Sequence, residues 1–168
     1  TGDFAAGNFK FAGTNFTGSL LVGHSTTGTL SAAIENTGVG IAALDALTSA
    51  DYNTAVGYNA GTTISTGNKN TVIGNIAGDI ISSGGNNTAL GYSAVGAAQT
   101  TSSNTGIGSY ALVKATGTGN TAIGRSAGDN IVGGDYNICF GKDSGNNITS
   151  GSGNVVIGNA DVSSATGD

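Results

Sequence analysis

Proline, methionine and tryptophan are absent from this chain of 168 residues, and cysteine and histidine occur once each. The lack of proline, together with the lack of a glycine at every third position, excludes a collagen triple helix. The single Cys139 cannot form a disulfide within the chain, and its neighbours Ile138 and Phe140 indicate a buried apolar residue rather than a reactive thiol. No long apolar run and no basic start before an apolar stretch is present, so neither a membrane span nor a signal peptide is predicted.

Charge is also scarce, since only 9% of the residues are charged and the net charge is -5. A hydrophobic content of 38% with so little net charge disfavours intrinsic disorder. No basic stripe is available to neutralise nucleic-acid phosphates, and no nucleic-acid partner is expected. The basic side chains are dispersed singly at Lys10, Lys69, Lys114, Arg125 and Lys142.

Glycine, by contrast, is abundant at 31 residues, and much of it belongs to a repeat of about 17 residues. The clearest copy is N-T-A-V-G from Asn53 to Gly57, and one interval between copies is 16 residues instead of 17. Nine copies fill residues 19 to 168. They start at Ser19, Asn36, Asn53, Asn70, Asn87, Asn104, Asn120, Asn137 and Asn154.

A repeat of this length cannot enclose a core alone, so successive copies must stack. Glycine, threonine, asparagine and serine are poor in helix interiors, which favours strands, and Ala42 to Leu47 is the best candidate for an exception. We therefore predict an all-β fold, a parallel β-solenoid or β-roll of about nine 17-residue coils. Residues 19–168 form the repeat solenoid in this interpretation, and residues 1–18, which contain four of the five phenylalanines, form an N-terminal cap or junction segment.

Two repeat positions are predicted to be structural. Stacking aligns the first residue, asparagine, into a column that can form a hydrogen-bonded amide ladder. The fifth residue is glycine in every copy, which suits a corner with positive φ or a close approach of the chain. The examples that define the repeat best are Asn53, Gly57, Asn70, Gly74, Asn87, Gly91, Asn120 and Gly124.

The apolar columns suggest which residues fill the interior. We expect the large fourth residue, such as Val56, to point inward on the strand face that it shares with the second residue, such as Thr54. A second inward column lies eleven residues after each start, as at Ile64. The eighth residue is small, as at Ala60 and Ala94, and we expect this column to let chains approach closely about a common axis.

Tandem N-T-A-[VIL]-G-x-x-A units resemble the repeats of tail-fibre and other virion structural proteins of marine phages, over residues 19–168. They are also similar to the shorter repeats of trimeric autotransporter adhesin heads, whose A-I-G element is matched at Ala122 to Gly124. The longer period and the lack of stalk heptads make the phage resemblance the stronger one. It implies a structural fibre protein in a virion tail fibre or on an extracellular surface. Its partners would be further copies, as a homotrimer or an end-to-end fibre, and a host-surface receptor.

Two alternatives remain beside the structural fibre. The first is a bacterial adhesin head that binds a host glycan or matrix protein through a contact surface at Tyr58, Tyr92, Tyr110 and Arg125. The second is an ice-binding solenoid that displays the threonine column. We disfavour it because the threonines would share a strand face with buried aliphatic residues.

No enzyme activity is expected, and no catalytic, cofactor-binding or metal-binding residue is assigned. His24 is the only histidine and Glu35 the only glutamate, so neither has an evident catalytic partner. Asp79 and Asp129 occupy the same repeat position, where a carboxylate can cap a turn. The aspartates do not follow the spacing of calcium-binding β-rolls.

Overall fold

The computed structural model describes residues 9–13, 16–23 and 31–159. These residues contain eleven strands and no helix, in one sheet of order β1-β2-β4-β5-β6-β7-β8-β9-β10-β11, with β3 beside β2. The predicted all-β parallel β-solenoid is confirmed. The strands are β1 (Phe9–Gly13), β2 (Phe16–Val22), β3 (Ala33–Ile34), β4 (Thr37–Val39), β5 (Thr54–Val56), β6 (Thr71–Ile73), β7 (Thr88–Leu90), β8 (Thr105–Ile107), β9 (Thr121–Ile123), β10 (Ile138–Phe140) and β11 (Val155–Ile157).

The repeat strands, β2 and β4 to β11, stack in parallel with one strand per coil and no slip in register. Thr54 lies beside Thr37 on one side and Thr71 on the other, so each repeat column becomes a straight row along the stack. The register also holds across the 16-residue interval, where Thr105 pairs with Thr121. A period that repeats almost without error therefore produces an equally regular stack.

The first strands differ from this pattern. Strand β1 pairs antiparallel with β2, and Phe9 lies opposite Val22. Strand β2 begins at Phe16, and its start pairs in parallel with β3. The solenoid sheet thus carries one antiparallel strand at this edge, within the segment predicted to be a cap or junction. His24 lies outside the described residues.

The corners of each coil contain residues with left-handed backbone at regular positions. In the coil that begins at Asn36 they are Gly40 (φ 134°), Ala42 (φ 56°) and Leu44 (φ 59°). A right-handed helix cannot contain every second residue in this conformation. The expected exception at Ala42 to Leu47 is therefore wrong, because this segment is a succession of turns.

The interior of the solenoid is a narrow apolar core to which four columns of the repeat contribute, including the ninth residue, such as Leu44. The third residue of the repeat is buried, as at Ala55 and Val72, and so is the eighth, as at Ala60. The column eleven residues after each start is buried as predicted, for example at Leu47 and Ile64. Cys139 belongs to the third column and is buried, which confirms its prediction.

The prediction for the fourth column is wrong, because its side chains point outward. Val56 is 38% exposed and Phe140 53%, while the third residue of the repeat, which is the middle residue of each strand, is enclosed. Successive side chains of a strand point to opposite faces, so the buried first and third residues force the second and fourth outward. The signal was present in the sequence, since an asparagine ladder inside the coil requires the third residue to be inside as well.

Small and large side chains compensate one another inside the coil. Where the third residue is glycine, as at Gly38, the ninth is leucine, Leu44; where the third is Val72, the ninth is Gly78. A Cβ atom on Gly78 would lie 2.6 Å from Cγ1 of Val72, closer than carbon atoms can approach. The available volume is therefore shared between two positions of the repeat, and this coupling was not noticed in the sequence.

Candidate interaction surface

The asparagine column forms a continuous ladder that links the coils. The side-chain oxygen of Asn53 accepts hydrogen bonds from the backbone N–H of Asn70 (2.9 Å) and from its side-chain amide (3.0 Å). The same arrangement joins Asn70 to Asn87. The predicted ladder is confirmed, and it extends from Asn36 to Asn154.

Each asparagine also closes its own coil. The side-chain amide of Asn53 donates to the carbonyl oxygen of Gly67 at 2.9 Å, and that of Asn120 donates to Gly134 at 2.8 Å. These bonds tie the strand to the last turn of the same coil. Because every buried side-chain nitrogen and oxygen in the described part of the chain has a partner, burial of the amides costs little.

The glycine column explains how the coils can stack so closely. Gly57 has φ 136°, and a Cβ atom there would collide with the carbonyl oxygen of Gly74 in the next coil. Gly74 stands in the same relation to Gly91. The predicted corner and close approach therefore occur together. The structural residues assigned from the sequence, such as Asn87, Asn120 and Gly124, lie in these two columns.

One wall of the solenoid carries the second and fourth residues of each repeat on its outer side. We call this wall, from β4 to β11, the threonine–aliphatic face. It contains no charged residue, and its exposed fraction is largest near β11, where Ile157 is 72% exposed. The second residues are Thr37, Thr54, Thr71, Thr88, Thr105, Thr121, Ile138 and Val155, and the fourth are Val39, Val56, Ile73, Leu90, Ile107, Ile123, Phe140 and Ile157.

This arrangement changes two earlier expectations. The eighth column, with Ala60 and Ala94, lies inside the coil and cannot bring two chains together. The argument against ice binding is also wrong, because the threonines share their face with exposed rather than buried aliphatic residues. An exposed wall of the solenoid is therefore formed by side chains whose apolar character had predicted a place in the core.

The predicted contact surface lies next to this face. Tyr58, Tyr92 and Tyr110 are exposed, and the side chain of Arg125 is 55% exposed. The structure brings Tyr92 and Tyr110 together edge to face, with ring centroids 5.2 Å apart. Tyr58 and Arg125 occupy the same column as Tyr92, two coils away on either side.

Three charged groups on the described surface, Arg125, Lys142 and Asp143, form a local network. Asp143 pairs with Lys142 at 2.7 Å and with Arg125 at 3.3 Å, and the hydrogen bond from Lys142 is the main cause that lowers the pKa of Asp143. Burial raises the pKa of Asp79. No cluster of three or more metal-binding side chains occurs in the described ranges.

Comparison with family models, curated proteins and solved structures finds no match for this chain. Among the described residues there is no helix long and apolar enough to cross a membrane.

Proposed function

We propose that this chain is a structural, non-enzymatic segment of a fibre, such as a virion tail fibre or another extracellular surface filament, and that it works as a homotrimer. The observation that carries the proposal is the unbroken stack of nine repeat strands in one register. Eight steps of about 4.8 Å make a rod of roughly 38 Å. Such a stack gains length simply by adding repeats, which suits a protein whose task is to span a distance.

The experiment is to lengthen and shorten the rod. A variant that carries two further copies of residues 70–86 is expected to be about 10 Å longer, and a variant that lacks these residues about 5 Å shorter, by electron microscopy and small-angle scattering. A variant with the same inserted residues in scrambled order serves as the control. Particles that remain compact, or whose length does not follow the number of repeats, would contradict the proposal.

A second candidate is receptor binding by an adhesin-like surface. It is favoured by the exposed edge-to-face pair of Tyr92 and Tyr110, since exposed aromatic rings beside an arginine suit carbohydrate or protein ligands. The test is a glycan array with the wild type and with a double Tyr92→Ala, Tyr110→Ala variant. A signal that the variant retains in full would exclude this surface.

Ice binding is a third candidate, which is favoured by the aligned, outward-facing threonines of six consecutive strands, of which Thr37 and Thr71 are exposed and the other four are half-buried. Thermal hysteresis measured on the wild type and on a Thr71→Leu, Thr88→Leu variant tests it directly. The absence of thermal hysteresis in the wild type would remove this candidate.

A further inference from the structure

We propose that the threonine–aliphatic face is the surface on which a second copy of this chain docks, parallel and coil against coil. The proposal deepens the fibre function and rests on it, because it names the surface through which copies assemble. It replaces the interior alanine column as the site of contact.

The face carries large apolar side chains at fixed positions, although contact with water alone requires none there. A solvated wall needs no large residue at any particular place, yet all eight described strands from β4 to β11 place an aliphatic or aromatic side chain at the fourth position. Scattered apolar residues are normal on a surface, whereas a contiguous apolar stripe indicates an interaction site. Seven steps of about 4.8 Å make this stripe roughly 34 Å long.

The second argument is its size and charge. Two outward residues on each of eight strands make sixteen, and the sixth residue of each repeat, which borders the face from Ile41 to Asn159, brings the number to 24. This lies within the roughly 20 to 30 residues that each partner contributes to a stable interface. The chain has a net charge of -5, but none of the sixteen outward residues is charged and the bordering column holds only Arg125 and Lys142, so most of the face can meet a second copy without repulsion.

The third argument is periodicity. A stripe with one apolar side chain per coil is matched along its whole length only by a surface with the same axial spacing, and a second copy has that spacing. Rotation about an axis parallel to the rod places each coil against the same coil of its partner. The fourth position also stays apolar in β10 and β11, where Ile138 and Val155 replace threonine at the second position. The property that is constant along the face is therefore its apolar character and not the display of hydroxyl groups.

The test compares two double variants by light scattering. Ile73→Glu with Leu90→Glu places two charges on the face, while Ile80→Glu with Val132→Glu places the same charges at other exposed apolar residues. The wild type and the second variant are expected to be oligomers. The first variant is expected to fall two- to threefold in mass, to a single chain of 16.1 kDa, with an unchanged circular dichroism spectrum.

Cross-linking tests the proposal without relying on a variant that dissociates. In a parallel assembly, Val56→Cys places thiols of two copies in the same coil, within reach of a short bis-maleimide. In an antiparallel assembly they would lie five coils, or about 24 Å, apart. Covalent dimers are expected from Val56→Cys and none from Ile80→Cys. Absence of dimers from Val56→Cys would overturn the parallel docking.

The outcomes also separate this inference from the fibre function. If the double variant on the face remains assembled, the docking surface is wrong while the fibre function stands. A folded wild-type monomer at high concentration would overturn the docking inference and the homotrimer together. A monomer whose thermal hysteresis disappears in the Ile73→Glu, Leu90→Glu variant would assign the face to ice instead of a second copy.

Discussion

The inner and outer faces of each strand are formed by neighbouring residues, and yet these residues differ in burial and in packing. Ala55 and Val72 on the inner side are enclosed, and their size is balanced by the ninth residue of the coil. Val56 and Ile73 on the outer side are large, exposed and free of such balance. Apolar character alone therefore does not identify the core of a thin solenoid. The core consists of residues whose volumes depend on one another.

The strongest test of this comparison places a charge on each side of the wall. Ala60→Asp puts a carboxylate inside the coil, and we expect it to lower the free energy of unfolding by about 4 kcal/mol or to prevent folding. Val56→Asp, on the outer face, should leave the β-structure intact and weaken only the assembly. Urea unfolding followed by circular dichroism measures both. A stable, fully folded Ala60→Asp protein would show that the eighth column is not interior.

The next largest effect should come from the ladder. Asn87→Ala removes the acceptor of the buried Asn104 backbone N–H and the side-chain donor to the Thr101 carbonyl oxygen, while the Asn70 side-chain oxygen keeps only the backbone N–H of residue 87. We expect a loss of about 3 kcal/mol in unfolding free energy. Asn75→Ala, at an exposed asparagine of the same coil stack, is the control and should change stability by less than about 0.5 kcal/mol. Equal losses of unfolding free energy in the two variants would show that the ladder does not stabilise the fold.

Exchange of volume between the inner positions should have a moderate effect. Gly78→Leu alone overfills the coil at a left-handed residue, and we expect a loss of about 2 kcal/mol. Val72→Gly alone opens a cavity. Together they reproduce the Gly38 and Leu44 arrangement, so the double variant should be more stable than the sum of the single effects by about 1 to 3 kcal/mol. Strictly additive effects would mean that the two positions do not share one space.

The smallest expected effect concerns the reactivity of cysteine thiols on the inner and outer faces of a strand. Burial raises the pKa of Cys139 to about 11, so at pH 8 this inner thiol should be almost entirely protonated as well as inaccessible. Relative to a free thiol of pKa about 8.5, ionisation alone reduces the fraction of reactive thiolate at pH 8 by roughly 240-fold. Phe140→Cys, introduced into a Cys139→Ala variant, should therefore react far faster with a thiol reagent than Cys139 of the wild type. The measurement uses dilute protein, in which the proposed assembly does not cover the outer face. Equal labelling rates would contradict the assignment of inner and outer walls.

Much of the fold was predictable because the repeat is so regular. The period identified the solenoid, the asparagine column identified the ladder, and the glycine column identified the corner that permits close stacking. All three predictions follow from the stacking of repeats alone, which aligns the same repeat position in successive coils. The column at Leu47 and Ile64 was assigned to the core correctly for the same reason.

The orientation of the strand could not be obtained from apolar character. Val56 is larger than Ala55, and large size predicts burial, but the narrow coil encloses the smaller residue. The alternation of left-handed residues through Ala42 and Leu44 was equally hidden, because neither residue type favours that backbone conformation. The surface that we propose for assembly was missed because its residues had been assigned to the interior.

The asparagine ladder has a mechanical consequence for a rod that bears load. Hydrogen bonds between coils run along the axis, so tension on the rod acts on each junction in series and the least connected junction separates first. Within the described ladder that junction is at Asn104, whose side-chain amide donates to Thr101 and Gly117, so that only its backbone N–H reaches Asn87. Rupture under an axial pull should therefore begin between the coils of β7 and β8, near the shortened repeat, and leave two shorter stacks.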